Sequence, residues 1–437
     1  MESPSVIIEI NKLGAIENSS IELKPFMIFS GESGLGKSYS AFLIHYIYLL
    51  TNNNKRLEDF FKVHNWNYDE LIKGKSGEGE LFSFKFSILN EWINRDAIQY
   101  LKFLLGNEHL EGDINFNFND LTSKMLTFKY KEEVIGVGSE TELYMVISFE
   151  GMSLRVPRTS NTWTYYLFVV LLKYYLKRVI HPNNISLSET FMLPPSRGGL
   201  VGLTSASKGA ISASSGMYSE FLENMDSLER TSIPSNKQTS SKIIELLRNI
   251  NKGEIKKEEN RYYYISNNNK IPLSSVAASI KELTPLSLLM DKYPIQDYSI
   301  LFEEPEAHLH PQMQMKVAEL IAAMVNEGTH FQITTHSDYF IRRINDLINL
   351  YNLKNKISKE EFTKFCKEYK FDEDIILPPQ LIGAYLLEKQ ENGSVKIKQQ
   401  KVSKGVPYDS FQKIIRQNIA NSMALSDKLE EFDDIEQ

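Results

Sequence analysis

Gly31-Glu32-Ser33-Gly34-Leu35-Gly36-Lys37-Ser38 is the stretch on which the fold turns. It fits the phosphate-loop pattern G-x-x-x-x-G-K-[ST] at every fixed position. Lys24-Pro25 stops the preceding segment, and Phe26-Met27-Ile28-Phe29 reads as a short buried strand. From Tyr39 to Leu50 the apolar residues Ala41, Phe42, Ile44, Ile47 and Leu50 recur at helical spacing. Strand, glycine loop and helix form the setting this motif requires.

The chemistry follows from the residue types. A phosphate chain needs many N–H donors pointing inward, and Gly31, Gly34 and Gly36 let the backbone wrap that closely. A helix starting near Lys37 adds unpaired N–H groups and a positive dipole end. Lys37 is placed to neutralise the β- and γ-phosphates, and the Ser38 hydroxyl to ligate Mg²⁺.

A phosphate loop alone binds nucleotide without hydrolysing it; a metal-side carboxylate and a group for water are also needed. Tyr298-Ser299-Ile300-Leu301-Phe302-Glu303-Glu304-Pro305 offers both, because an apolar strand delivers two acids at its C-terminal end. Glu303 is expected to face the metal and Glu304 the attacking water. Phe331-Gln332-Ile333-Thr334-Thr335-His336-Ser337 is a second strand ending in a polar cluster. As a parallel neighbour it would bring His336 beside the γ-phosphate, where an imidazole can hydrogen-bond phosphate or water. No Asn-Lys-x-Asp guanine reader occurs, so ATP is favoured. The long separation between Lys37 and Glu303 argues against a compact GTPase or small kinase.

Gly31 to Ser38, the run Glu303 to Pro311 and Ile333 to Ser337 together resemble the ATP-binding-cassette superfamily of P-loop ATPases. Within it they are most similar to the SMC/RecF-like and OLD-like branch, which includes ATPases of bacterial anti-phage systems such as Septu and PARIS. The resemblance covers roughly residues 5–50 and 270–340. It implies an α/β core of ABC/RecF type, with a helical insertion and an antiparallel β lobe. It further implies Glu303 as metal-side acid, Glu304 as catalytic base, Glu306 to His310 as the D-loop and His336 as the switch histidine. Many relatives carry Asp where Glu303 stands. The signature that should open a helix before the acid strand is matched by Val276 to Leu283, with Ser279 but without the glycine. That helix would cover nucleotide held by a second copy. No Q-loop glutamine is assigned. Leu193-Pro194-Pro195-Ser196-Arg197-Gly198-Gly199 resembles a turn recurring in this branch. Its arginine would touch phosphate, DNA or the other subunit, or else be solvated at a strand end.

The remaining sequence bounds the setting. The 437 residues exceed one usual compact domain, and 42% hydrophobic content suffices for a sizeable core. Net charge is −7, so any DNA contact must come from a local patch. The single cysteine, Cys366, excludes an internal disulfide framework and suits the cytosol. The apolar stretch Tyr165 to Leu172 is too short to span a bilayer and reads as a buried helix. Four regions are expected: 1–55, the first part of the ATPase core; 56–260, an inserted helical and mixed α/β region, mostly helical to about 122; 261–350, the second part of the core; and 351–437, helices and a hairpin with an acidic tail. Lys396, Lys398, Lys401 and Lys404 read either as a phosphate-backbone patch or as the solvated face of an edge hairpin.

Together these readings describe a soluble cytoplasmic Mg·ATP-hydrolysing homodimer or higher homo-oligomer with no membrane contact. It would be a regulator or sensor subunit of a DNA-directed system, most directly anti-phage defence, with a separate effector such as a nuclease. The alternative is a RecF/SMC-like repair or replication ATPase that clamps DNA itself.

Overall fold

A computed structural model describes residues 6–118, 121–137, 140–158, 163–181, 187, 189–201, 216–230, 239–258, 261–407 and 409–433. Helices α1 (Lys37–Leu50), α2 (Asn54–Val63), α3 (Tyr68–Ile72), α4 (Phe86–Leu105) and α5 (Tyr166–Ile180) come first. They are followed by α6 (Gly216–Arg230), α7 (Ser241–Asn251), α8 (Ala278–Lys292), α9 (Pro311–Asn326), α10 (Asp338–Lys354), α11 (Lys359–Tyr369) and α12 (Asp409–Asp433).

The organising element is a nine-stranded sheet built from β1 (Ile7–Leu13), β2 (Ile16–Glu22), β3 (Phe26–Gly31), β5 (Gly112–Asn117), β9 (Glu189–Leu193), β13 (Tyr298–Glu303), β14 (His330–Thr334), β15 (Ile382–Lys389) and β16 (Val395–Gln400). Its order is β5-β1-β2-β16-β15-β3-β14-β13-β9. From β15 to β9 every pairing is parallel, whereas β1 pairs antiparallel with both β2 and β5. The parallel strands are buried on both faces, as their near-continuous apolar runs require. Alternate residues of β3 serve opposite layers: Met27 and Phe29 join a core with α1, α2, α4 and α5, while Phe26 and Ile28 join one with α7 to α10. The architecture is thus α/β, with helices over both faces of a mixed sheet.

Two smaller antiparallel sheets accompany it. Four strands, β4 (Glu78–Lys85), β6 (Met125–Val137), β7 (Glu140–Phe149) and β8 (Met152–Pro157), pair in the order β4-β6-β7-β8. A three-stranded sheet consists of β10 (Glu254–Glu258), β11 (Arg261–Ser266) and β12 (Asn269–Pro272).

Several local expectations change. The stretch 56–122 is not simply helical, since β4 and β5 lie in it and β5 forms one edge of the main sheet. Only Ile114 and Phe116 alternate inward there, too short a pattern to announce a strand. The hairpin β15–β16 is not at an edge: it sits between β2 and β3, so protection of an open edge does not explain its lysines. Lys396 and Lys398 face solvent while Val395 and Ile397 face the core. The acidic end is helical as far as Asp433. Most of the Ser- and Gly-rich stretch 204–240 outside α6 lies beyond the described residues.

Candidate active site

Three strand ends build the site. Residue pairing puts Glu303 level with Thr334, and Thr334 level with Phe29 just before the phosphate loop. Crossing backbone bonds lock the ends together: Thr335 N–H donates to Phe29 O at 3.1 Å, and Glu304 N–H to Thr334 O at 3.0 Å. Glu304 has a φ of +44°, a left-handed conformation that L residues seldom adopt. It turns the chain out of β13 so that both acids stand at the mouth.

The loop is pressed from behind by the C-terminal hairpin. Gly31 pairs with Leu387, and a Cβ at position 31 would lie 2.6 Å from Leu387 O. Lys37 is 7% exposed, and its ammonium donates to Gly31 O at 3.1 Å and Glu32 O at 2.8 Å. Burial lowers its pKa, and the negative charges of Glu304, Glu303 and Glu306 act against that shift. Helix α1 starts without a side-chain cap, which leaves first-turn N–H groups available to an anion.

A cavity of about 670 Å³ opens over this loop. Ser33 to Ser38 line it together with Glu303, Glu304, Thr334 and His336. Further lining comes from the turn at Leu13 to Ile16, from Tyr39 and from Asn107, His109, Leu110 and Glu111. Gly31 and Glu32 stand behind the lining and meet the site through their carbonyls. Ser279, in the first turn of α8, does not line this cavity.

Electrostatics separate the two acids. Glu303 is 3% exposed, and burial pushes its carboxyl up to about 7. The Ser38 hydroxyl, hydrogen-bonded to it, and the cations Arg197 and Lys37 oppose that rise, while Glu304 adds to it. Its Oε1 is buried and has no protein partner among the described residues. A hydroxyl beside an unsatisfied carboxylate oxygen suits a hard divalent cation that completes its shell with phosphate and water. Among the described residues, no cluster of three His, Cys, Asp or Glu side chains would hold a metal by itself.

Glu306 is a component that the motif reading left inside the D-loop run. Its Oε1 accepts from Thr335 Oγ1 at 2.9 Å and from His336 N–H at 2.6 Å. It therefore fixes the backbone that presents His336. The imidazole itself is exposed at the rim, with its pKa lowered by partial burial and by Lys37. Arg197 is the larger surprise. It is neither solvated nor at the cavity surface but fully buried, stacked 4.5 Å from the Phe302 ring beneath the acids. Its neighbour Pro195 does line the cavity. Nothing in the local sequence marks Asn107 to Glu111 as part of this lining, because a polar loop after a helix looks the same anywhere.

Residues 206–341 match a family described as an AAA ATPase domain. That match includes the acid strand and His336 but not the phosphate loop. No curated protein matches the chain in sequence. Among solved structures, an SMC head bound to the C-terminal winged-helix domain of ScpA is similar at 11% identity, with a TM-score of 0.38, over 92% of this chain and 98% of that one. The SMC head domain from Thermotoga maritima gives 10% identity and a TM-score of 0.32 over 91% and 99%. An SMC head with an extended coiled coil, bound to the C-terminal domain of ScpA from Pyrococcus furiosus, gives 10% and 0.35 over 94% and 98%. Among the described residues no helix is long and apolar enough to cross a membrane.

Proposed function

We propose that this chain binds Mg·ATP in the cavity over residues 31–38 and hydrolyses it to ADP and phosphate. One observation carries the reading: Lys37, Ser38, Glu303, Glu304 and His336, drawn from sequence positions far apart, line a single cavity. In this reading the loop N–H groups and Lys37 hold the β- and γ-phosphates. Ser38 and Glu303 would hold Mg²⁺, which when bound would supply charge neutralisation at the phosphates. Glu304 accepts the proton of the attacking water, and His336 hydrogen-bonds that water or the γ-phosphate. Two copies close on the nucleotide, the Ser279 turn of one facing the phosphate loop of the other. That arrangement agrees with Ser279 lying outside the lining within a single chain.

The biological setting we infer is a cytoplasmic regulator of a DNA-directed system, in particular anti-phage defence, whose effector is a nuclease on a separate chain. The motif resemblance supports this; the ATPase-domain match over residues 206–341 supports the ATPase part of the reading alone. Co-purification with a nuclease would favour it; hydrolysis stimulated by DNA in the isolated protein would favour direct clamping. The enzymatic reading is tested by phosphate release and by binding of a fluorescent ATP analogue. Wild type should turn ATP over, and Glu304→Gln should still bind it with turnover lowered at least about 100-fold. A wild-type protein with no affinity for nucleotide would end the proposal.

A further inference from the structure

Arg197 lies where the loop after β9, the acid strand and helix α8 meet. It is fully buried, and its guanidinium is aimed at backbone carbonyls. Nη1 donates to Pro194 O at 3.0 Å and to Glu303 O at 2.8 Å, Nη2 to Glu304 O at 3.4 Å, and Nε to Glu282 O at 3.0 Å. The Glu282 carboxylate lies 3.4 Å from Nε. Glu282 is one turn beyond Ser279 on α8. The loop and that turn pack closely: a Cβ on Gly198 would fall 2.9 Å from Lys281 Cβ and 3.0 Å from the backbone nitrogen of Glu282.

We propose that Arg197 is a positioning residue that fixes the backbone of Glu303 and Glu304 to the first turns of α8, so that the acid pair moves with the helix carrying Ser279. This rests on the hydrolytic reading of the acid pair given above. The argument is geometric. Glu304 has an unfavourable backbone conformation, which persists only where its surroundings over-determine it. One side is held by Glu304 N–H on Thr334 O, the other by Glu304 O on Arg197. A buried charge is a poor choice for stability alone, since apolar side chains of like volume usually serve as well or better. A rigid fork of five N–H donors, by contrast, suits carbonyls presented by three separate segments. Through it, a partner that displaces the α8 N-terminus pulls directly on the backbone of the two acids, whose other side is held by Thr334.

The test uses the full chain and three variants, Arg197→Lys, Arg197→Met and Glu282→Gln. Thermal melting, affinity for a fluorescent ATP analogue, kcat and KM are measured for each. Arg197→Lys keeps the charge but loses the fork; it should bind the analogue as wild type does while kcat drops about 100-fold, the scale of a small misplacement of reacting groups. Arg197→Met should lower kcat at least as far. Glu282→Gln keeps the carbonyl contact and should give a smaller kcat loss with KM unchanged. Wild-type kcat in folded Arg197→Lys overturns the proposal. So does a parallel loss of kcat and analogue binding that tracks the folded fraction, because a purely structural arginine predicts that pattern. If Arg197→Met fails to fold, the lysine and Glu282 variants still decide. Failure of the hydrolytic reading is seen separately, before any substitution: wild type that neither binds nor hydrolyses ATP overturns that reading and this one together.

Discussion

Alanine substitutions at two glycines of one loop should separate two quantities that such loops usually confound. Gly31 and Gly34 both have positive φ, +132° and +79°, so an alanine at either site is strained by about 1–2 kcal/mol. Their surroundings differ. At Gly34, a residue of the cavity lining, a Cβ meets nothing within 4 Å, whereas at Gly31 it meets the carbonyl oxygen of Leu387 at 2.6 Å. That oxygen belongs to a backbone held in the sheet by pairing on both sides, so the contact cannot be relieved by a rotamer change. Overpacking of this kind adds roughly 1–3 kcal/mol. Gly31→Ala should therefore lose about 2–5 kcal/mol and Gly34→Ala about 1–2 kcal/mol. In thermal unfolding without nucleotide, Gly31→Ala should melt below Gly34→Ala, and both below wild type. Stabilisation by added Mg·ATP, which reports affinity through mass action, should fail most completely in Gly34→Ala, because Gly34 lines the cavity proposed for the phosphates. The two assays are thus expected to rank the variants in opposite order. If Gly31→Ala melts with Gly34→Ala or above it, the hairpin does not brace the loop as described.

Two further outcomes follow from buried polar groups. Glu306→Ala leaves Thr335 Oγ1 and the His336 N–H without their acceptor and should cost about 1–3 kcal/mol with a fall in kcat; Glu306→Gln, which retains an acceptor, should lose much less in both melting and turnover assays. His330 and His181 pack with Tyr48 in the core, Tyr48 bonding His330 Nδ1 at 2.8 Å. Burial lowers the His330 pKa to about 4 and holds His181 well below its ordinary value. Both are neutral in the fold, while the unfolded chain takes up their protons near pH 6.5, so stability is complete above that pH and falls as pH drops toward 4. For His330 alone the loss between pH 7 and pH 5 is about 2 kcal/mol, and His330→Gln should flatten the pH dependence of denaturant unfolding over that window.

The parts legible in the sequence are those whose signals are local. Residues 26–50 announce a strand, a glycine turn and a helix through composition alone, and the apolar runs before Glu303 and Thr334 mark two more strands. Their parallel pairing follows once they are taken to share a sheet with the phosphate loop. What escaped was set by distant partners. The alternation of Val395 and Ile397 with Lys396 and Lys398 is the same for an interior or an edge strand with one wet face. Only the pairing of Val395 with Ile16 of β2 decides between them. The Pro-Pro-Ser-Arg-Gly-Gly turn has the composition of a surface loop; its arginine is buried because Glu282 and the Glu303 carbonyl, contributed from elsewhere in the sequence, close over it. Glu306 was hidden for the opposite reason: it sits inside a recognised run, where neighbouring acids drew the attention.

The place of β15 and β16 has a consequence for how the protein is made. These strands are translated long after β2 and β3, yet they separate the two in the sheet. Residues 7–31 thus emerge as strands whose central neighbours do not yet exist, and Gly31 waits for Leu387 to reach its side. Because domains form as units during N- to C-terminal synthesis, the anion cradle acquires its final backing only after residues 382–389 have been released. A nascent chain arrested before residue 382 should expose the flank of β3 and draw chaperones to it.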